Sequence, residues 1–218
     1  MSLHLRIHPL NEHSFLIAPA FASDVDIADR AAGIHELTAL LESSQLDGVI
    51  DLVPAYETVA LFFVDIDSRH RAEKQLKSLE FAAGKSVAAA SRLHEIPVVY
   101  DGVDLHSAAS ELQMSVDELI ALHSGAEYTV AMVGFLPGFP YLLGMDPRLS
   151  LPRLETPRPS VPKGSVAIGG AQTGIYPAQS PGGWRLIGVT DVELFDASRA
   201  EPSLLRAGDR LRFVRESD

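Results

Sequence analysis

One segment of this sequence, Gly134–Gly144, combines three aromatic residues with glycine and proline in the order GFLPGFPYLLG. Glycine lets backbone N–H groups approach a ligand closely, and proline restricts the backbone. We therefore expect a stiff, concave loop lined by aromatic side chains, as found in small-molecule sites. A buried turn between two strands is the alternative interpretation.

A basic stretch follows, and its four cations stand five residues apart: Arg148, Arg153, Arg158 and Lys163. Glu155 is the only acidic residue between positions 147 and 164, whereas the whole chain carries a net charge of −11. Such a local reversal of charge can attract a carboxylate, phosphate or carboxyphosphate group. Lys163 is the strongest candidate, because a proline and a glycine flank it and define its turn. A solvated loop is the alternative.

A third segment, Gly169–Trp184, places uncharged hydrogen-bonding groups on a glycine- and proline-rich backbone: Gln172, Thr173, Tyr176, Gln179 and Ser180. Such groups suit recognition of amides, ureas or lactams better than proton transfer. Gly182 and Gly183 offer backbone donors for an anion nest or an oxyanion hole, although a plain β-turn is equally consistent. Trp184 fits a core position better than a cofactor contact.

Several common catalytic motifs are absent from the sequence. It contains no GxxxxGK[ST] and no HExxH, and the lack of cysteine excludes thiolate chemistry. The last histidine is His123, so residues 124–218 by themselves hold neither a Ser-His-Asp triad nor a His-ligated metal. We interpret His123 as the partner of a helix C-terminus or as a surface residue. The site therefore either binds without catalysis or needs a partner chain.

Charge and hydropathy exclude two further classes of partner. A net charge of −11 argues against a general nucleic-acid binder, which needs clustered lysine and arginine. No stretch reaches the ~18 uncharged apolar residues of a membrane helix. We therefore expect a cytoplasmic protein that binds neither nucleic acid nor membrane.

Two regions of different character must position these residues. Up to position 93, periodic patterns predict strands and helices in the order β-β-α-β-β-α, followed by a strand at His94–Tyr100. This order approximates a ferredoxin-like α/β sandwich with an extra strand or hairpin. The first helix is expected to begin near Asp24 and Asp26, and the second to run over 72–83 and to stop at Gly84.

The second region is rich in turns. Residues 134–183 alone hold nine glycines and nine prolines, which favour turns and short strands over helices. Before them, Ser115 and Glu118 form a capping box for a helix, and we expect Gly125 to be its C-terminal cap. Short apolar runs, including Trp184–Val189 and Val192–Phe195, then predict a small closed barrel or a sandwich.

These residues also resemble a known family. The runs GFLPGFPYLLG, PRLETPRPSVPKGSVAIGGAQTGIYPAQSPGGWRLIG, LFD and AGDRLRF are similar to the B subunit of bacterial 5-oxoprolinase, also called KipI-like or allophanate hydrolase subunit 1. The similarity is specific from about Ile96 to Val214. It is weaker before that, where VPAY at Val53–Tyr56 matches well.

The resemblance implies an α+β protein of two domains. Residues 1–93 would form the ferredoxin-like α/β domain, and residues 94–218 a cyclophilin-like β-barrel. The implied partners are the C subunit (KipA-like), which has a related barrel, and the A subunit, which has a different fold. Together such proteins open 5-oxoproline to glutamate with ATP, and the ATP site need not lie on this chain. We expect this chain to be inactive alone.

The resemblance and the motif chemistry together give each site residue an expected role. Lys163 and Gln172 are the expected catalytic residues. Substrate contacts are expected from ten others: Phe135, Pro137, Phe139, Arg158, Thr173, Tyr176, Ser180, Gly182, Gly183 and Trp184. We expect no metal site.

Two other functions remain open at the level of sequence. A KipI-like member would inhibit a sensor histidine kinase by binding it, without turnover. A urea amidolyase-like member would form one half of a biotin-dependent carboxyltransferase, with the site between two related barrels. Neighbouring genes for the A and C subunits would favour the 5-oxoprolinase.

Overall fold

The chain divides into two units, Met1–Ala90 and Ser91–Asp218. This division lies close to the sequence-predicted boundary at residue 93. The structure is a computed structural model that describes residues 2–77, 79, 81–82 and 91–216. Both units mix helices with sheets, so the chain is an α+β protein.

The first unit has eight elements in the part of the chain that the structure describes: β1 (Ser2–Leu3), β2 (Leu5–Asn11), β3 (Ser14–Pro19), α1 (Ile27–Ser43), β4 (Val49–Pro54), β5 (Val59–Phe63), α2 (Ile66–Lys77) and β6 (Phe81–Ala82). Four strands form an antiparallel sheet in the order β2-β3-β5-β4, and β1 pairs separately with β6. Alternate residues of the central strands, including Phe15, Ile17 and Leu61, are buried with Ile34 and Leu37 of α1.

The first helix begins where the sequence indicates. The carboxylate of Asp26 accepts a hydrogen bond from the Asp29 N–H (2.8 Å), which confirms an aspartate cap at the start of α1. The second helix is displaced from its prediction, because α2 covers Ile66–Lys77 and the described residue Leu79 lies beyond it. The predicted end of that helix at 83–84 lies outside the described residues.

The connections of the first sheet match the ferredoxin-like order only in part. Strands β3 and β4 flank β5, which is antiparallel to both, so β3-α1-β4 is a split β-α-β unit. The fourth strand is β2, which precedes this unit. The predicted strand at His94–Tyr100 belongs to the sheet of the second unit instead. The ferredoxin-like assignment therefore stays a prediction.

The second unit contains one curled sheet, two short α-helices and one 3-10 turn at Pro147–Leu149. Its elements are β7 (Leu93–Val98), α3 (Leu105–Glu111), α4 (Val116–Gly125), β8 (Glu127–Val133), β9 (Pro140–Leu143), β10 (Arg158–Val161), β11 (Ser165–Gly169), β12 (Gln172–Ile175), β13 (Ser180–Gly182), β14 (Arg185–Val189) and β15 (Arg210–Arg215). Seven strands pair in the order β14-β11-β12-β9-β8-β15-β7, and β10 pairs with β13 beside them.

The two edges of this sheet meet. Val99, directly after β7, and Val189 of β14 exchange backbone hydrogen bonds of 3.0 and 2.9 Å. The sheet thus curls around an apolar interior, as the predicted closed barrel requires. The interior includes Val130, Leu142, Val166, Ile168 and Ile187.

The elements around this sheet confirm some local predictions and correct others. The Ser115 hydroxyl accepts a hydrogen bond from the Glu118 N–H (3.1 Å), so Ser115 caps α4 as predicted. Gly125 is the last residue of that helix rather than its cap. The predicted strand at Val192–Phe195 is wrong, since only Phe195 forms a bridge, with Ser203. No helix among the described residues is long and apolar enough to span a membrane.

Candidate functional site

The hairpin of β11 and β12 has two different faces. Val166 and Ile168 point into the interior of the curled sheet, so the residues between them point outward, because side chains alternate along a strand. The outward positions hold small residues, Ala167 and Gly169 on β11 and Gly174 on β12. This smooth outer face allows large rings to lie directly on the backbone.

Four aromatic residues occupy that outer face, and we call them the aromatic cluster: Phe139, Tyr141, Tyr176 and Trp184. The Phe139 ring is the centre, with centroids 5.0 Å from Tyr141, 5.2 Å from Tyr176 and 5.6 Å from Trp184. Tilted and edge-to-face pairs at such distances are favourable. Phe139, Tyr176 and Trp184 are buried, so these three predicted substrate contacts pack mainly against one another.

Glycine is required under two of these rings. A Cβ atom on Gly169 would lie 2.4 Å from Cδ2 of Trp184, and one on Gly174 would lie 2.7 Å from the Pro140 carbonyl oxygen and 3.1 Å from the Phe139 ring. Real Cβ atoms essentially never approach other atoms to within 3.0 Å. Gly169 therefore makes room for the Trp184 ring, and Gly174 makes room for the backbone that carries the Phe139 ring.

The loop before β9 presents one aromatic residue to solvent. Phe135 is 61% exposed and has a φ of +69°, a conformation that costs a non-glycine residue about 1–2 kcal/mol. Backbone hydrogen bonds from Gly134 to Phe139 (3.1 Å) and from Phe139 to Leu136 (3.0 Å) hold the loop, and its Pro137 is exposed. These two hydrogen bonds fix the backbone of the loop between β8 and β9.

An ion pair lies beside the aromatic cluster. Nη2 of Arg158 donates to Oδ1 of Asp104 at 2.7 Å, and Oδ2 of Asp104 accepts from the Leu186 N–H at 2.7 Å. Asp104 is only 6% exposed. Sequence analysis missed Asp104, which precedes α3 and resembles an ordinary helix start. Its side chain makes no cap bond to α3 and holds Arg158 instead.

Arg158 also lies close to the predicted glycine pair. It stands opposite Gly182 in the β10–β13 pairing, and the carbonyl of Gly183 accepts from the Leu154 N–H at 2.7 Å. A Cβ atom on Gly182 would lie 2.3 Å from Oη of Tyr176. Burial raises the pKa of that phenol, which therefore stays neutral at pH 7. Ser180 is buried, and its hydroxyl donates to the Pro181 carbonyl (3.2 Å).

The two expected catalytic residues are not brought together. Lys163 is exposed in the turn before β11, where Nζ pairs with Oε1 of Glu193 at 2.9 Å. Gln172 begins β12 and stands opposite Gly169, at the other end of the hairpin. The extended strand between them, Ser165–Gly169, spans roughly 13 Å. The two side chains therefore start from opposite ends of the hairpin.

A buried chain of hydrogen bonds runs through the interior of the second unit. His123 is fully buried, with Nδ1 2.7 Å from Oη of Tyr100 and Nε2 2.9 Å from Oγ1 of Thr173. The Thr173 hydroxyl donates its only proton to the Ala167 carbonyl at 3.0 Å. Nε2 must therefore carry the histidine proton, and Nδ1 must accept from Tyr100.

This position corrects the interpretation of His123 as a helix-end partner or surface residue. Burial lowers the pKa of His123 to about 3, so the ring is neutral at physiological pH. Thr173, an expected substrate contact, is likewise buried, and its hydroxyl is held by His123 and Ala167. The hydrogen bond between His123 and Thr173 therefore orders the interior of the second unit.

The depressed pKa of His123 predicts how stability depends on pH. An unfolded histidine binds a proton near pH 6.5, whereas the folded ring does so only near pH 3. Stability is therefore complete above pH 6.5 and is lost as the pH falls toward 3, by about 2 kcal/mol between pH 7 and pH 5. Urea unfolding at several pH values measures this slope. The His123→Gln variant should lack the part of this slope that His123 contributes. An equal slope in the variant and in the wild type would contradict the lowered pKa of His123.

The acid–base groups nearest the aromatic cluster are already engaged. Asp104 holds Arg158 and a backbone N–H, and His123 is enclosed and neutral. The described residues contain no group of three or more His, Asp or Glu side chains that could hold a metal ion. This outer face offers aromatic surface and two arginines, Arg158 and Arg153, whose guanidinium carbon lies 5.7 Å from the centre of the Trp184 ring. Such a face suits binding or a site that another polypeptide completes.

Comparison with known proteins identifies the class. Residues 5–205 match the family described as carboxyltransferase domain, subdomain C and D. The urea amidolyase of K. lactis shares the fold, with a TM-score of 0.73 at 18% identity, over 98% of this chain and 15% of that one. The chain is thus a carboxyltransferase-type domain of the C and D kind.

Curated relatives identify the family within this class. The 5-oxoprolinase B subunit of Bacillus subtilis (strain 168) is 37% identical over 100% of this chain and 95% of its own length. Its counterpart in Escherichia coli O157:H7 is 45% identical, over 59% of this chain and 60% of that protein. The chain belongs to the family of 5-oxoprolinase B subunits.

Solved structures agree with this assignment. TTHA0988 is 39% identical with a TM-score of 0.78, and the match covers 94% of this chain but only 40% of that longer chain. PH0987 from Pyrococcus horikoshii, titled a conserved uncharacterized protein, is 35% identical with a TM-score of 0.57 over 98% of both chains. This chain therefore spans nearly the whole length of PH0987 and less than half the length of TTHA0988.

Proposed function

We propose that this chain is one subunit of a 5-oxoprolinase complex that opens 5-oxoproline to glutamate at the expense of ATP. The observation that carries this proposal is the 37% identity with the B subunit of the Bacillus subtilis 5-oxoprolinase over the full chain. The partners would be the A and C subunits, and ATP would be a substrate of the complex without being assigned to this chain. We place the complex in the cytoplasm.

The geometry supports a shared site. Opening a lactam needs groups that move protons, and the groups nearest the aromatic cluster are engaged or enclosed. A second polypeptide would supply them, so the isolated chain would be inactive. The longer chain of TTHA0988, of which this fold accounts for 40%, is consistent with such a neighbour. By the same relationships we propose a ferredoxin-like first unit and a cyclophilin-like barrel.

The distance between Lys163 and Gln172 restricts their roles. Since they lie at opposite ends of the β11–β12 hairpin, we propose that only one of them faces the reacting lactam. Lys163→Ala and Gln172→Ala should then differ in turnover, with a loss in one variant only. Phe135, Pro137 and Gly183, on exposed or half-exposed backbone, remain candidates for contacts with the substrate or with the partner chain.

The experiment that tests the function is reconstitution. The chain is purified with the A and C subunits from the same genome, and glutamate release from 5-oxoproline is measured with and without ATP. We expect release only when all three proteins and ATP are present. Unchanged release when this chain is omitted would reject the proposal.

A second candidate is one half of a carboxyltransferase. It is favoured by the match to the carboxyltransferase domain family and by the fold shared with urea amidolyase. In that case a biotinylated carrier would be a partner of the chain. Transfer of labelled carboxylate from carboxybiotin to an amide acceptor, without glutamate formation, would support this function over the first.

A further inference from the structure

One enclosed arginine nitrogen in the second unit lacks a partner. Nη1 of Arg158 is screened from solvent and forms no hydrogen bond with any residue that the structure describes. The other terminal nitrogen, Nη2, is engaged by Asp104 at 2.7 Å. An enclosed donor left without a partner costs about 1–3 kcal/mol, so its presence in a well-packed unit requires an explanation.

The orientation of Arg158 is fixed from several sides. Its backbone belongs to β10 and stands opposite Gly182 of β13. Its guanidinium is held by Asp104, whose other oxygen accepts from the Leu186 N–H on β14. The side chain of Asp104 is 9% exposed and that of Arg158 is 26% exposed, so the pair is largely removed from solvent. The free N–H groups of Nη1 therefore point in a defined direction.

The charge of this pair selects the chemistry of its ligand. Asp104 neutralises Arg158, so a full anion at Nη1 would meet an almost neutral pair and would lose its own hydration. The exposed cation beside the aromatic cluster is Arg153, which lies over the Trp184 ring. A neutral acceptor, such as an amide carbonyl oxygen, satisfies the enclosed donor without adding charge. The aromatic cluster adjoins Arg158, because Gly182 opposite it lies against the Tyr176 hydroxyl.

We propose that Nη1 of Arg158 donates a hydrogen bond to the carbonyl oxygen of a cyclic amide, and that Asp104 is the residue that positions it. This inference rests on the proposed function, in which the cyclic amide is 5-oxoproline. It assigns to this chain the recognition of the lactam group. Recognition of the substrate carboxylate then falls to other residues.

We assign the route of the ligand to Nη1 to the segment directly before β10. Residues 152–157 are mostly exposed, and they are held by hydrogen bonds from the Leu154 N–H to the Gly183 carbonyl (2.7 Å) and from Nε of Arg185 to the Pro152 carbonyl (3.3 Å). The guanidinium of Arg153 also lies over the Trp184 ring at 5.7 Å. A segment with so few attachments can move while the sheet stays intact.

The test uses the reconstituted complex and two fragments of the substrate as inhibitors. The fragment 2-pyrrolidinone keeps the lactam and lacks the carboxylate, whereas cyclopentanecarboxylate keeps a carboxylate on a ring without the lactam. Arg158→Lys keeps the charge but loses the fixed second nitrogen. We expect about a tenfold or larger rise in KM for 5-oxoproline and in the inhibition constant of 2-pyrrolidinone, with cyclopentanecarboxylate unchanged.

The matched control is Arg215→Lys, at an exposed arginine that pairs with Asp117 at 3.2 Å. It should leave all three constants unchanged. The Asp104→Asn variant distinguishes a positioning role of Asp104 from a merely structural one. It leaves the charge of Arg158 uncompensated, so the inhibition constant should fall for cyclopentanecarboxylate and rise for 2-pyrrolidinone. Fluorescence of Trp184, the only tryptophan, checks that each variant is folded.

Three outcomes would overturn the inference. The first is an Arg158→Lys complex with unchanged KM for 5-oxoproline. The second is a variant that loses inhibition by cyclopentanecarboxylate and keeps inhibition by 2-pyrrolidinone, which would make Arg158 a carboxylate contact. The third is unchanged inhibitor selectivity in Asp104→Asn. A wild-type complex that releases no glutamate would instead reject the proposed function, so the two failures are distinguishable.

Discussion

Replacing His123 by alanine should lower the free energy of unfolding of the second unit by about 4 kcal/mol or more. The substitution removes a fully buried ring that stacks on Phe213 at 4.5 Å, and large-to-small changes of this kind cost about 3–5 kcal/mol. It also leaves the Tyr100 hydroxyl without its acceptor and the Thr173 hydroxyl without its donor. Urea unfolding followed by Trp184 fluorescence measures the loss, because this only tryptophan lies in the same unit.

The control for this experiment is His106→Ala. His106 is exposed on α3, so its removal should change the free energy of unfolding by less than about 0.5 kcal/mol. If the two variants lost similar small amounts, the buried chain of hydrogen bonds would not exist as described.

Replacing Gly169 by alanine should cost about 2 kcal/mol and should disturb the aromatic cluster directly. The added methyl group meets the five-membered part of the Trp184 indole at 2.4–2.7 Å, and overpacking of this kind costs about 1–3 kcal/mol. The ring has to move outward, so we expect a red shift in its emission together with the loss of stability. Urea unfolding and emission spectra report the two effects on one sample.

Gly125→Ala is the matched control for that substitution. A Cβ atom on Gly125, at the end of α4, meets no atom within 4 Å. The free energy of unfolding of the Gly125→Ala variant should equal or exceed that of the wild type, since alanine is a better helix former than glycine. An unshifted emission maximum in Gly169→Ala, with stability equal to that of the control, would show that Trp184 does not lie on Gly169.

Local signals in the sequence predicted the local structure well. The aspartate before α1 and the serine before α4 act at short range on backbone N–H groups, so their caps could be recognised from neighbouring residues alone. The density of glycine and proline over 134–183 likewise indicated short strands and turns, as observed in β9 to β13. The family resemblance indicated a barrel, where composition alone left a barrel and a sandwich open, and the observed sheet is curled.

The errors concern residues whose roles depend on distant partners. His123 is buried because Tyr100 and Thr173, 23 and 50 residues away, meet it, and no periodic pattern records such a meeting. Asp104 finds Arg158 across 54 residues for the same reason. The equal spacing of the basic residues suggested that they share one anion site. In the structure, however, Arg158 pairs with Asp104, and Lys163 pairs with Glu193 at the surface.

The position of β15 has a consequence for how the protein is made. This strand is the last element among the described residues, yet it lies between β8 and β7, and its partner β7 is the first strand of the same unit. During translation, β7 and β8 must wait with unpaired edges until residues 210–215 leave the ribosome. The unit therefore completes its sheet only after residue 215 has emerged, and a ribosome that stalls before Arg210 releases a product prone to aggregation.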